Sequence, residues 1–96
     1  MNDCPLVLIE WEDSRQPMSS WNRLSEFSPE EVCQCVSIGF LIHDTLKLKV
    51  LAPNMADIGS EENLQVSGMM HIPTSAITRM VCLEETTSFS SGLAVV

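Results

Sequence analysis

The sequence predicts a mainly β fold, a small antiparallel barrel of five strands with one short helical turn. Three observations lead to this fold class. Short segments alternate apolar and polar side chains, which is the pattern of half-buried strands. Gly, Pro, Asn and Asp lie between those segments, where these residues favour turns. The 96 residues, 45% of them apolar, suffice for one domain with one core.

The first third of the chain contains one predicted strand and a long irregular segment. Residues 6–11 are rich in aliphatic and aromatic side chains, which suit a strand. Residues 18–31 show no clean period. Within them, three apolar residues at three-residue steps are expected to fold back onto the core: Trp21, Leu24 and Phe27. The Ser-Pro-Glu-Glu run at residues 28–31 predicts a helical turn, because Ser caps helices and Pro suits their first position.

The middle of the chain predicts a β-hairpin. Residues 32–42 carry apolar or small side chains on both alternating sets, so we expect a strand whose two faces are both covered. One face would pack within its own subunit and the other against a second copy. A turn at residues 43–45 and a strand at residues 46–51 follow, the latter with Lys47 and Lys49 facing outward.

The last part of the domain contains a long loop and two more strands. Residues 53–63 exceed the usual connection length, which makes them a candidate functional loop. A strand is expected at residues 64–72, where Gly68 marks a bend. Residues 73–76 predict a tight turn or one turn of 3₁₀ helix, and residues 77–83 alternate as a final strand.

These elements make one domain over residues 1–85, followed by a tail at residues 86–96 that is flexible or docks onto a neighbouring subunit. The strand, turn and strand at residues 69–83 resemble the closing strands of SH3-like and Sm-like barrels, where a short helical turn separates the last two strands. The likeness in layout covers residues 32–83. Barrels of this kind carry unrelated functions, so the likeness implies a fold and no activity.

The charge and the apolar pattern exclude two classes of protein. Thirteen Asp and Glu against five Lys and Arg give a net charge of −8, and such a surface repels nucleic-acid backbones. The chain contains no run of about eighteen apolar residues, which a membrane-spanning helix needs. It also begins without the basic residues of a secretory signal. We therefore expect a cytoplasmic protein that binds neither nucleic acid nor membrane.

Four cysteines occur without an export signal, which favours reduced, buried thiols over disulfides. Cys33 and Cys35 would share one face of a strand, where two neighbours rarely bridge each other. A zinc site would need other candidate ligands to join that pair: Cys4, Cys82, His43 or His71. The usual spacing of paired zinc ligands is missing, so the sequence predicts no metal and no cofactor.

The residues needed for catalysis are sparse. His43 and His71 are the two histidines, and on a strand His43 would point away from its neighbour Asp44. Cys35 with either histidine is the nucleophile and base pair that a fold could assemble. The glycines are too scattered for a phosphate-binding loop, and the adjacent acids are typical of a solvated face. We expect no enzymatic activity.

A binding role has better support, with Trp21, Asn54, Ser75 and Arg79 as the candidate ligand-binding residues. Trp21 suits stacking in a recognition site, although it equally suits a core. Arg79 either pairs with an acid or contacts an anion. Asn54 and Ser75 stand in predicted turns, where they would bond a polar ligand or serve turn chemistry.

The whole chain resembles a set of small accessory proteins encoded by bacteriophages. The residues that carry the likeness are Glu-Trp-Glu-Asp-Ser at 10–14, Trp21, Val-Ser-Ile-Gly-Phe-Leu at 36–41, Leu-Ala-Pro-Asn at 51–54, Ile72-Pro73 and Ala76-Ile77. The resemblance implies expression in the cytoplasm of an infected bacterium and a role against a host system. No motif of that group fixes an activity.

The leading hypothesis is a non-enzymatic, homo-oligomeric accessory protein that binds and neutralises a host component. One target class is a basic host protein of a defence system, which the acidic surface would attract. The other is a small anionic signal molecule, such as a nucleotide, sequestered in a pocket between subunits. The alternative is a structural or virion-associated interaction module without a soluble ligand.

Overall fold

The computed structural model describes residues 4–86, and these form a mainly β, antiparallel structure. Its strands are β1 (Leu6–Asp13), β2 (Cys33–Asp44), β3 (Leu48–Ala52), β4 (Asn54–Ala56), β5 (Gln65–Ser67), β6 (Met70–Pro73) and β7 (Ile77–Cys82). Two short 3₁₀ turns cover Leu24–Glu26 and Thr74–Ala76. The β-rich class and the 3₁₀ turn before the last strand are thus confirmed. Of the predicted tail, residues 87–96 lie outside the described residues.

Five strands form one sheet in the order β6, β3, β2, β1, β7, and every neighbouring pair is antiparallel. The longest register joins β1 to β2, from Leu6 opposite Phe40 to Asp13 opposite Cys33. The 3₁₀ turn at Thr74–Ala76 connects the two edge strands, β6 and β7. No ladder joins these edges within residues 4–86, so the sheet is not a closed barrel there.

Two sequence predictions about local structure are wrong. Residues 28–31 form no helical turn, and the 3₁₀ turn lies earlier, closed by bonds from Glu26 N to Arg23 O and from Phe27 N to Leu24 O at 3.0 and 3.2 Å.

The predicted strand at residues 64–72 is divided into β5 and β6. Gly68 separates the two strands with a φ of 74°, a left-handed conformation that breaks the ladder. The preceding strand, β5, pairs instead with β4. β4 lies within residues 53–63, the segment that was expected to be a loop. The bend that the sequence predicts at Gly68 is therefore a complete strand break.

The core lies on one face of the five-stranded sheet. Its central cluster of fully buried side chains comes from three strands, β1, β3 and β6: Val7, Ile9, Leu51 and Ile72. Trp11, Leu41 and Ile77 are half-buried and pack against this cluster. The Trp11 indole Nε1 donates a hydrogen bond of 3.0 Å to Ser37 Oγ, which satisfies its polar atom. Trp11 is accordingly part of the core.

Within the single chain, only one of the two faces of β2 is covered. Val36 and Ile38 are 62% and 53% exposed, whereas Gly39 on the opposite face is buried. The central core cluster occupies the face that β2 shares with Val7 and Ile9. Coverage of the other face by a second copy stays a prediction.

We expect Leu51→Ala to lower the free energy of unfolding by about 2–5 kcal/mol, because it leaves a cavity in the core. Leu46→Ala is the matched control, since Leu46 is 96% exposed in the turn between β2 and β3 and its loss should change stability by less than about 0.5 kcal/mol. Urea denaturation followed by circular dichroism measures both values. Equal losses in the two variants would contradict the assignment of the core.

Candidate functional site

Residues 14–32, hereafter the arm, connect the paired ends of β1 and β2. Every side chain in the arm is exposed. The two ends of the arm are nevertheless bonded to each other. Arg15 Nε donates a hydrogen bond of 2.7 Å to Glu31 O and lies 3.6 Å from Glu30 Oε2. The arm therefore has a bonded base and a local 3₁₀ turn, while it contributes nothing to the buried core.

The arm presents four apolar side chains to solvent at three-residue steps: Met18, Trp21, Leu24 and Phe27. Trp21 is fully exposed, and Leu24 is 88% exposed. The expectation that Trp21, Leu24 and Phe27 fold back onto the core is wrong. The two ends of the arm bond to each other, and side chains of the strands already fill the core. Polyproline II and 3₁₀ backbones both repeat every three residues, which favours one shared side for such a series.

A cleft of about 820 Å³ lies between the arm and the strand ends. Its lining combines apolar side chains, Met18 and Phe27, with the charged side chains of Arg15 and Glu30. Such a mixture of apolar and charged groups on an exposed segment is typical of a protein contact surface.

A second apolar surface, hereafter the outer face, lies on the side of β1, β2 and β7 away from the core. It consists of Leu8, Val36, Ile38 and Val81. The register places Val81, Leu8 and Ile38 in one row across the three strands. The adjoining row contains Val36 beside an ion pair in which Arg79 Nη1 lies 3.2 Å from Glu10 Oε1. The outer face is thus apolar with a charged border.

The four candidate ligand-binding residues lie on four different elements. Trp21 is in the arm, Asn54 begins β4, Ser75 is in the second 3₁₀ turn and Arg79 is in β7. Arg79 pairs with Glu10, as one of the two sequence-based readings expected. Within residues 4–86, no hydrogen bond or ion pair links any two of the four. A shared ligand site between subunits, formed by these four residues, stays a prediction.

The residues considered for catalysis are also separate. His43 and His71 are both exposed and flank Val50 in one row of β2, β3 and β6. Two strand spacings amount to about 9–10 Å, beyond hydrogen-bonding distance. Cys35 has Cys33 as its hydrogen-bonding neighbour. Within the described part of the chain, no three His, Cys, Asp or Glu side chains form a metal-binding group.

The cysteines are less buried than the sequence predicts. Cys82 is exposed, while Cys4, Cys33 and Cys35 are half-buried. Cys33 Sγ and Cys35 Sγ are 3.8 Å apart. Desolvation raises the pKa of the Cys35 thiol, and its hydrogen bond with Cys33 and the negative charge of Asp13 act in the same direction.

The loop that the sequence favours as functional, residues 53–63, is partly a structural hairpin. Asn54–Ala56 pairs with β5, and Gln65 Nε2 donates a hydrogen bond of 2.8 Å to Asp57 Oδ2. The arm is the longer of the two connections, and its length is the signal that could have identified it from sequence.

Comparison with known proteins gives no match to a protein-family model, to a curated protein or to a solved structure. Among residues 4–86, no helix is long and apolar enough to cross a membrane. The functional inference therefore depends on the surfaces of the chain itself, chiefly the arm and the outer face.

We expect alkylation of Cys35 to require a higher pH than alkylation of a cysteine in a short peptide. The raised pKa leaves less thiolate at any given pH, and the thiolate is the reactive form. The pH of half-maximal rate, obtained by mass spectrometry of iodoacetamide-treated protein, measures the difference. Cys33→Ala should move that pH toward the peptide value, because the hydrogen bond is lost. A midpoint at or below that of the peptide would refute the assignment.

Proposed function

We propose that this protein is a non-enzymatic binding module that works as a homo-oligomer, with the arm as its main contact. The exposure of Trp21 and Leu24 on an arm with a bonded base carries this proposal. A buried Trp removes about 150–250 Å² from water, which corresponds to about 4–6 kcal/mol before the costs of association. Contiguous exposed apolar surface of this kind usually marks an interface.

The arm and the outer face together favour a second copy of the chain as the binding partner. The arm offers protruding apolar side chains, and the outer face offers a flat apolar row that includes Ile38. The two surfaces also carry complementary charges. Arg23 lies in the arm, and Glu12 lies next to the outer face. Within residues 4–86, neither has an ion-pair partner. In a two-fold pair each arm covers the partner's outer face, so the same contact is buried twice.

The acidic surface that remains supports the proposed role against a host component. A net charge of −8 steers association toward basic protein surfaces and makes the on-rate salt-dependent. A small anionic target is less well supported, because an anion would have to displace Glu10 from Arg79. The resemblance to phage proteins implies expression in an infected bacterium, and we include this in the proposal.

An SH3-like or Sm-like identity of the fold also belongs to this proposal. The strand order, with the first strand between the second and the last, and the 3₁₀ turn between β6 and β7 support it. Small barrels of this kind bind partners through long loops as well as through sheet faces, and the arm is such a loop.

Sedimentation velocity tests the self-association. We expect the wild-type chain to be a dimer or larger at micromolar concentration, and Leu24→Ser to raise the dissociation constant at least tenfold by removing apolar contact area. Trp21→Ser should have a larger effect, since Trp buries more surface. Leu46→Ser is the matched control, because Leu46 is similarly exposed but lies in the turn after β2.

The control should associate like the wild type. A monomeric wild-type protein at micromolar concentration, or equal weakening by Leu24→Ser and Leu46→Ser, would overturn the arm as the self-association surface.

A further inference from the structure

The five-stranded sheet ends at β7, whose second edge pairs with no strand in the part of the chain that the structure describes. Leu83 N donates a hydrogen bond of 2.8 Å to Leu6 O, which fixes the phase of the ladder between β7 and β1. Because successive residues of a strand direct their backbone groups to opposite sides, Val81 bonds toward β1, like Leu83. Met80 and Cys82 therefore direct their N–H and C=O groups to the open edge.

The other edge of the sheet, on β6, is blocked by a proline. Thr74 N donates a hydrogen bond of 3.1 Å to Lys47 O, which continues the register of β6 on β3. By the same alternation, Pro73 and His71 face away from β3. Pro73 has no N–H, so His71 is the one outward donor among the four residues of this strand.

In contrast, β7 lacks the features that protect strand edges. It has six residues, with neither proline nor lysine among them. Its one charged side chain, Arg79, is held by Glu10 of β1, with Nη1 and Oε1 3.2 Å apart. The free edge of β7 is therefore the edge that suits pairing with another strand.

Two copies of β7 can pair antiparallel about a two-fold axis through Val81. Met80 of each copy then lies opposite Cys82 of the other, and each such pair exchanges two backbone hydrogen bonds. A register centred on Met80 would use Thr78, which has no partner in the register of β7 on β1. One centred on Cys82 would use Glu84, which lies beyond the strand. The register through Val81 keeps all of its bonds on regular parts of β7.

The side chains on both faces of β7 suit this register. Val81 lies opposite Val81 of the second copy, so the apolar rows of the two outer faces become continuous. Met80 and Cys82 are exposed on the core side, and each covers the other across the axis. Charge is complementary as well, because the acidic residues 84–85 of one copy lie beside Arg79 of the other.

We propose that the free edge of β7 binds a second copy of the chain by antiparallel pairing of the two β7 strands, which joins two five-stranded sheets into one. The bonds lie in the plane of the sheet, so both outer faces stay open to an arm. This contact is a second interface, and it does not rest on the arm contact proposed above. With both interfaces, the wild-type chain assembles beyond a dimer.

Met80→Pro tests the pairing, because it removes an N–H at the open edge and leaves the bonds to β1 in place. His71→Pro is the matched control, since it removes an outward N–H from the other edge of the sheet. Both are made in the Leu24→Ser protein, where the arm contact is weakened, and compared by sedimentation velocity. We expect Leu24→Ser alone to form a dimer, Met80→Pro to raise its dissociation constant at least tenfold, and His71→Pro to leave it unchanged. Circular dichroism verifies that the variants are folded.

Cross-linking gives a second measurement that needs no proline. In a Cys82→Ser background, Val81→Cys should form a disulfide between chains on mild oxidation with diamide, since the axis places the two positions opposite each other. Arg79→Cys in the same background is the matched control. Its two copies lie about 13 Å apart along the strands, so they should not cross-link.

Equal cross-linking of Val81→Cys and Arg79→Cys would overturn the proposal, and so would equal dimerisation of the two proline variants. A Leu24→Ser protein that is monomeric and gives no cross-link through Val81→Cys would assign the edge to another occupant, such as residues 87–96, and would overturn it too. None of these outcomes decides the arm contact, which is tested by Leu24→Ser against the wild type.

Discussion

Pairing of β1 on both of its sides is the interaction on which the rest of the structure depends. β1 bonds to β2 along one edge and to β7 along the other, so residues distant in the chain become neighbours in the sheet. Val7 and Ile9 of this strand are fully buried, and the core gathers around them. Because side chains alternate along a strand, the same pairing turns Leu8 outward and thereby creates the outer face.

The register between β1 and β2 also determines where chemistry is possible. It ends where Asp13 meets Cys33, and at that point the arm departs with all of its side chains exposed. The arm and the thiols of Cys33 and Cys35 therefore lie close together, because the pairing of β1 with β2 ends at this point. Arg79 of the edge strand β7 and Glu10 of β1 form an ion pair and partly neutralise each other beside the outer face.

Much of the sheet could be predicted from the sequence, and the surfaces could not. Aliphatic and aromatic composition located β1, a run that is apolar or small on both alternating sets located β2, and alternation located β7. The break at Gly68 was underestimated because a single glycine in a strand pattern fits either a bend or a complete interruption. The position of Trp21 depends on whether the core has room for it, and the side chains that converge from β1, β3 and β6 decide that. Alternation alone contains no information on such convergence.

The neighbouring positions of β1 and β7 have a consequence for synthesis on the ribosome. β1 emerges first, yet its second partner ends at Cys82, so one edge of β1 stays unpaired until nearly the whole described chain is available. Translation at about 5–20 residues per second leaves that edge open for several seconds. Open strand edges recruit other chains. A nascent or truncated form is therefore the state in which this chain is most exposed to misassembly and to chaperones.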